Sequence, residues 1–203
     1  MIEAKQARSR KTFQSIVAAV YTLLEQKFFE HISIAEISEQ AGVSVGTFYR
    51  RFENKNALLP HIDRRYNDDF QAWMAQYLVA NQHYPHSSRA HVAHLVKEIL
   101  EFFQQRRGVM RTIHLYRRLH GGMVTPQQIG DRLDDYAQID QQANTDNPSD
   151  ALKQRMLRHV ILASVTEWVL YPDVTPAASL TMDEATFVEQ LIQMGTAYLS
   201  IED

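Results

Sequence analysis

One short predicted helix, Val45–Phe52, presents an unusual set of side chains. Its sequence, VGTFYRRF, places two phenylalanines four residues apart, which puts both on the same, buried face of a helix. The opposite face then carries small, hydroxyl, aromatic and basic groups. Hydroxyl and guanidinium groups hydrogen-bond to base edges or phosphates, and a methyl group can contact thymine. We expect the outward residues to contact DNA: Val45, Gly46, Thr47, Tyr49 and Arg50.

A second helix and a tight turn must position this surface. Residues 33–40 carry two isoleucines three apart, the spacing of a buried helical stripe. Ser33, with Glu36 three residues later, has the pattern of a capping box. Gly42 breaks the pattern, because glycine readily adopts the left-handed conformation that ends a helix, and Ser44 can cap the next one. Two short helices joined by such a turn are typical of the helix-turn-helix motif, whose second helix enters the major groove.

The stretch AGVSVGTFYRRFENKNALL, residues 41–59, closely resembles the signature of the TetR (tetracycline repressor) family of bacterial transcriptional regulators. The turn, the Thr-Phe-Tyr run, the phenylalanine that closes the helix and the following lysine stand at matching positions. The resemblance covers about residues 10–60, and the remainder is similar only in helical character and length. It implies that Tyr49 and Lys55 bind DNA phosphates, and that a small molecule binds the C-terminal body and releases DNA.

Two serines complete the residues that we expect at the DNA. Ser33 and Ser44 lie at predicted helix starts, where phosphate contacts are common. The alternative is that the aromatic residues of 48–52 are core residues of an unrelated helical bundle. Such a bundle would need neither the Ala-Gly-Val turn nor a basic, tyrosine-bearing outer face.

The composition predicts an all-α protein. Hydrophobic residues make up 45% of the 203 residues, and glycine and proline are few, at seven and six. The absence of cysteine excludes disulfides, thiolate zinc sites and a cysteine nucleophile. No apolar run approaches the roughly 20 residues that a membrane helix needs, and the N-terminus lacks the apolar core of a signal peptide. We therefore expect a cytoplasmic protein without a membrane partner.

The charge distribution differs along the chain. Residues 1–60 hold eight Lys or Arg and six acids, a charge of +2, whereas residues 61–203 hold thirteen and eighteen, a charge of -5. We expect a three-helix helix-turn-helix domain over residues 1–53. Its first helix should begin at about Ser9, after a short mobile arm. A larger helical domain for effector binding and dimerisation should occupy residues 54–203, giving about nine helices in all.

Two predicted helices, at about residues 149–170 and 182–201, have apolar faces broader than a surface helix requires. Either both are central core helices, or one side of each packs against a second copy of the chain in a four-helix bundle. We favour the homodimer. One recognition helix reads too few base pairs for operator specificity, and a two-fold dimer places two of them about 34–36 Å apart on one DNA face.

Aromatic and polarisable residues of the predicted C-terminal domain are candidates for an effector pocket between bundle helices. Each is also compatible with ordinary core packing, and nothing in the sequence names the compound. The candidates are Trp73, Tyr77, Phe102, Met110, His114, Tyr136 and Trp168.

Three other functions are less well supported by the sequence. His91 and His94 have a spacing that can place two imidazoles on one helix face, with His114 or His159 as a further ligand, but no clear third ligand follows, so we expect no metal and no cofactor. A glycine-rich phosphate loop and a nucleophile elbow are missing, which argues against an enzyme. An architectural DNA protein would carry more basic charge than the net -3. The sequence therefore favours a homodimeric regulator, a repressor that a small molecule releases from a palindromic DNA operator.

Overall fold

The computed structural model of the chain describes residues 2–81, 88–120, 148–173, 179 and 181–199. These residues form eight α-helices and two 3₁₀ turns and contain no strand, which confirms the all-α prediction. The predicted polar helix at residues 126–142 lies outside the described residues. The helices are α1 Ile2–Leu24, α2 Ile34–Gln40, α3 Val45–Tyr49, α4 Leu59–Asn81, α5 Arg89–Gln104, α6 Arg107–His120, α7 Pro148–Leu170 and α8 Glu184–Tyr198, and the 3₁₀ turns are Phe29–His31 and Lys55–Leu58.

The chain divides into two compact units. The N-terminal unit comprises Met1–Ala72 and Arg106–Met123, and the C-terminal unit comprises Trp73–Gln105 and Val124–Asp203. These units are defined by compactness. The division of function between residues 53 and 54 stays a prediction.

Helix α1 supplies the central stripe of the N-terminal unit. Ile16, Val20 and Leu24 are fully buried, at the spacing of one helix face. The prediction that the first helix begins near Ser9 was wrong, because the helix already begins at Ile2. Residues 2–8, IEAKQAR, are mostly strong helix formers, and this local preference extends the helix beyond its apolar stripe.

The sequence predicts that the fourth helix begins near Asn54, with Asn54 as a possible cap, and the structure differs. The Asn54 side chain caps a 3₁₀ turn instead, accepting a hydrogen bond from the Ala57 amide at 3.1 Å. The α-helix begins at Leu59, so Pro60 lies in its first turn. Proline is tolerated there, because the first amides of a helix have no intrahelical partner.

A largely desolvated ion pair joins α4 and α6 within the N-terminal unit. The Arg117 guanidinium donates to one oxygen of Asp63 from Nε at 3.0 Å and from Nη2 at 2.5 Å, and also to the Asn67 side-chain oxygen at 3.0 Å. Asp63 is only 2% exposed. Because a buried carboxylate needs such a partner, this contact fixes α6 on α4.

The sequence pattern predicts a helix over residues 89–107 that Gly108 interrupts, and the structure shows that this position of the break is wrong. The break falls at residues 105–106, and Gly108 is the second residue of α6. A Cβ atom at this position would lie 1.8 Å from the carbonyl oxygen of Leu24, at the end of α1. The glycine therefore permits a close helix contact and does not mark a turn.

The C-terminal unit has a core of α5, α7 and α8. Gly195 of α8 packs closely against the other two helices, since a Cβ atom there would lie 2.8 Å from Val92 and 3.0 Å from Leu157. The buried residues of the three helices are Val92, Leu95, Val96, Ile99, Leu100, Phe102, Phe103, Leu157, Ile161, Val165, Val169, Leu170, Phe187, Leu191 and Ile192.

Helices α7 and α8 also expose a second apolar face. Leu152 and Met156 of α7 are 65% and 49% exposed, and Met194 and Tyr198 of α8 are 42% and 44% exposed. Both helices are thus core helices on one side and uncovered on another. Among the described residues, no helix combines the length and the hydropathy required to cross a membrane.

Candidate nucleic-acid interface

The turn between α2 and α3 has the predicted geometry. Gly42 adopts φ +66°, the left-handed conformation that glycine tolerates without steric cost. Ser33 and Glu36 form the predicted capping box at the start of α2, and the Ser44 hydroxyl accepts from the Thr47 amide at the start of α3. Hydrogen bonds from nearby side chains thus fix the start of each helix of the motif.

Helix α3 buries one face and exposes the other. Phe48 and Phe52 are 0% and 4% exposed, and their rings lie 5.4 Å apart, which anchors the helix to the core. Val45 and Tyr49 are 42% and 54% exposed. The predicted burial of both phenylalanines is confirmed, but the predicted end of the helix at Phe52 was wrong, because α3 ends at Tyr49 with Arg50 as its cap. Of the predicted reading residues, all are exposed except Thr47, which is half-buried.

A chain of hydrogen bonds organises that face. Arg50 donates from Nη2 to the Thr47 hydroxyl oxygen at 2.8 Å, and the Thr47 and Ser44 hydroxyls lie 2.9 Å apart. A guanidinium group can only donate. The Thr47 oxygen therefore accepts from Arg50, and either hydroxyl of the Ser44–Thr47 pair can donate to the other. The consequence is a guanidinium group held in place on the exposed side of α3.

The neighbouring basic residue has a different environment. Arg51 donates from Nη2 to the Ser9 hydroxyl of α1 at 3.1 Å. It therefore ties the end of the motif to the first helix, whereas Arg50 remains on the exposed face. The two arginines are adjacent in the sequence, and only their different contacts in the structure distinguish their roles.

Ser33 is engaged in its own capping box. Its hydroxyl donates to a Glu36 carboxylate oxygen at 2.8 Å and accepts from the Glu36 amide at 3.1 Å. Hydrogen bonds from Lys27, followed by those from the Ser33 amide and hydroxyl, lower the pKa of Glu36 to about 2. The carboxylate is thus negative at neutral pH beside the start of α2. The Ser33 phosphate contact stays a prediction.

The ammonium group of Lys55 lies against backbone carbonyls. It donates to the carbonyl oxygens of Phe29 at 2.7 Å, Glu30 at 3.0 Å and Ile32 at 2.8 Å. Burial lowers the pKa of Lys55, while the carboxylates of Glu30 and Glu36 oppose the shift. Its role as a phosphate ligand stays a prediction.

The structure gathers three of the seven candidate effector residues. Within the C-terminal unit the Trp73 ring lies 5.8 Å from Tyr77 and 4.9 Å from Phe102. Trp168, in the same unit, instead stacks on Phe187 at 4.2 Å with an interplanar angle of 8°.

Two of the remaining candidates lie in the other unit. Met110 and His114 belong to the N-terminal unit, where Met110 is fully buried and burial lowers the pKa of His114. Tyr136 lies outside the described residues. Within the described ranges, no group of three or more potential ligands is placed to hold a metal ion, and this includes His91 and His94.

Two short helices, a left-handed glycine turn and an exposed α3 define this as a protein of the helix-turn-helix class. Residues 16–62 match the family described as bacterial regulatory proteins, tetR family. The helix-turn-helix segment of this chain is therefore similar to that of the tetR family. A 55-residue segment, 27% of this chain, is 40% identical to the transposon Tn10 TetC protein of Escherichia coli, and the match spans only 28% of that protein.

Solved structures extend the likeness to the whole fold. A tetR-family transcriptional regulator from Streptomyces coelicolor is similar at a TM-score of 0.61 and 16% identity, over 95% of this chain and 82% of that one. The transcriptional regulator FadR from Bacillus subtilis, in complex with stearoyl-CoA, is similar at a TM-score of 0.55 and 16% identity, over 92% and 98%. At this identity the likeness shows the fold alone.

Proposed function

We propose that this chain is a homodimeric transcriptional repressor that binds a palindromic DNA operator and leaves it when a small molecule binds. The exposed face of α3, held by its buried phenylalanines on a helix-turn-helix, carries the proposal. It is supported by the TetR-family match of residues 16–62. Such a protein would act in the bacterial cytoplasm and would not be an enzyme.

The proposed contacts with DNA divide into two kinds. Thr47 and Val45 are proposed to meet base edges, and Arg50 is proposed to reach guanine or a phosphate. Tyr49 is proposed to bind a phosphate through its hydroxyl, and Gly46 lets the helix backbone approach closely. Phosphate contacts supply affinity without sequence information. The serines at the helix starts complete the proposed set.

The exposed apolar face of α7 and α8 is the proposed dimer interface. Leu152 and Met156 follow one another at the i, i+4 spacing of a helix stripe, and Met194 and Tyr198 do the same on α8. Large exposed apolar groups are costly in water and commonly mark a protein interface. Two copies of this helix pair would form a four-helix bundle around a two-fold axis.

The aromatic cluster of the C-terminal unit is the proposed centre of effector binding. Tyr77 and Asn81 are buried on one face of α4, and among the described residues the Tyr77 hydroxyl and the Asn81 side-chain oxygen have no hydrogen-bond partner. Buried polar atoms normally have one. A ligand would fit them if it offered a hydrogen-bond acceptor to the Tyr77 hydroxyl and a donor to the Asn81 side-chain oxygen. The stearoyl-CoA belongs to the FadR complex alone.

Arg50→Ala and Tyr49→Phe are expected to weaken binding to DNA. Each removes a donor from the exposed face of α3, and the expected loss is about 10-fold or more for either variant, since such a contact is worth about 1–3 kcal/mol. The measurement is fluorescence anisotropy with a labelled random-sequence duplex at low salt. Neither side chain is buried, so the melting temperature should remain that of the wild type.

Arg118→Ala is the matched control, because it removes the same charge from an exposed position on α6. It is expected to change the affinity by less than about 3-fold, the effect of one distant charge at the surface. Equal losses in the Arg50 and Arg118 variants would mean that net charge alone attracts DNA, and the proposed reading face would have to be given up.

A further inference from the structure

Lys55 stands at the first residue of the 3₁₀ turn between α3 and α4, and its side chain reaches back over more than twenty residues. Its ammonium group donates to three carbonyl oxygens, those of Phe29, Glu30 and Ile32, at 2.7, 3.0 and 2.8 Å. It also lies 4.8 Å from the centre of the Phe29 ring. An ammonium group has three N–H donors, so these contacts use all of them.

The three carbonyls have a specific place in the motif. They belong to the 3₁₀ turn Phe29–His31 and to Ile32, which directly precedes the Ser33 cap of α2. The Phe29 oxygen also accepts from the Ile32 amide at 3.2 Å. Carbonyl groups at the end of a helical turn carry partial negative charge. A cation at this point therefore holds the entry to α2 against the segment that leaves α3.

We propose that Lys55 is a positioning residue for DNA binding, whose ammonium group fixes the entry to α2 relative to α3, and that it is not a phosphate ligand. To reach a phosphate, the ammonium group would have to give up at least one of its three carbonyl oxygens. We call the three contacts of Lys55 with the carbonyl oxygens of Phe29, Glu30 and Ile32 the clamp. A phosphate and the clamp thus compete for the same three N–H donors. The role is relevant to DNA binding only if the proposed function holds.

Hydrogen exchange tests the clamp without DNA. Lys55→Met keeps the apolar stem and removes all three donors, so the amides of residues 32–37 are expected to exchange about 10-fold faster or more, and the melting temperature should fall by about 4 °C. Lys55→Arg keeps the charge, but a planar fork does not match three converging carbonyls. It is expected to show most of the same loss of protection. Unchanged exchange in both variants would overturn the proposal.

Salt dependence of DNA binding then separates the two roles. With a duplex selected for binding by the wild type, Lys55→Met is expected to bind about 10-fold more weakly with an unaltered slope of log K against log salt. A phosphate ligand would instead lose about 0.9 from the slope, and Lys55→Arg would restore binding. That outcome would overturn the proposal. If Lys55→Met fails to fold, the affinity of Lys55→Arg for the same duplex decides. Weaker binding than wild type supports the proposal, and wild-type binding overturns it.

Wild-type protein that binds no duplex in preference to another would refute the proposed function. The exchange experiment would still decide the clamp, so the two failures are distinguishable.

Discussion

Gly108→Ala is expected to destabilise the protein by about 3 kcal/mol, at the upper end of the cost of overpacking. The new Cβ atom would lie 1.8 Å from the Leu24 carbonyl oxygen and 2.5 Å from its carbon. These are backbone atoms, which cannot turn away as a flexible side chain would. Either α6 or the end of α1 must shift, and the close contact between them is lost.

The measurement is thermal unfolding followed by circular dichroism, with an expected drop of about 6 °C or more. Gly46→Ala is the matched control, because it is the same substitution within a helix of the same unit. A Cβ atom there meets only the Ser44 side-chain oxygen, at 3.9 Å. The control should melt at the wild-type temperature or slightly above it, since alanine favours a helix. Equal stability of the two variants would contradict the packing of α6 on α1.

Met156→Glu is expected to convert a dimer into monomers. Met156 belongs to the exposed apolar face of α7, and a two-fold interface would bury the substitution twice. Two desolvated carboxylates without cationic partners would oppose association strongly. Binding to a two-fold symmetric DNA site should fall about 100-fold or more, because each protomer would then bind its half-site alone.

Light scattering after size-exclusion chromatography measures the mass. The wild type is expected at twice the chain mass of 23.5 kDa and the variant at the single mass. Val79→Glu is the control, because Val79 is also exposed and apolar, at 68%, but lies on α4. A wild type that is already monomeric at micromolar concentration would refute the proposed dimer, as would a Val79 variant that dissociates equally.

Features encoded by neighbouring residues could be predicted from the sequence. The capping box at Ser33 depends on residues three apart, and the left-handed turn depends on Gly42 itself. The burial of Phe48 and Phe52 follows from helical spacing alone. Each signal is local, so the capping box, the turn and the buried phenylalanines were predicted, whereas the end of α3 at Tyr49 was not.

Features made by distant residues could not be predicted. Asp63 and Arg117 are 54 residues apart, and nothing in either neighbourhood indicates their pairing. Gly108 was interpreted as a helix breaker because glycine commonly breaks helices, whereas the close approach of Leu24 is visible only in three dimensions. The same holds for Lys55, whose sequence position suggests a phosphate and whose ammonium group faces three carbonyls.

The predicted effector site shows the same division. Seven residues were predicted from their aromatic or polarisable side chains alone. The structure brings Trp73, Tyr77 and Phe102 together, while Trp168 stacks on Phe187. Aromatic residues build cores and pockets alike. Sequence spacing therefore identifies the candidates and cannot assign them to one site.

Selection of bound sites from random double-stranded DNA tests the central claim most directly. For the proposed homodimer we expect enrichment of a two-fold symmetric sequence whose half-sites lie about one helical turn, or a multiple of it, apart. A parallel selection with Thr47→Ala should change the preferred bases within each half-site. Recovery of no shared sequence, or of an unpaired half-site, would contradict a dimer that reads DNA through α3.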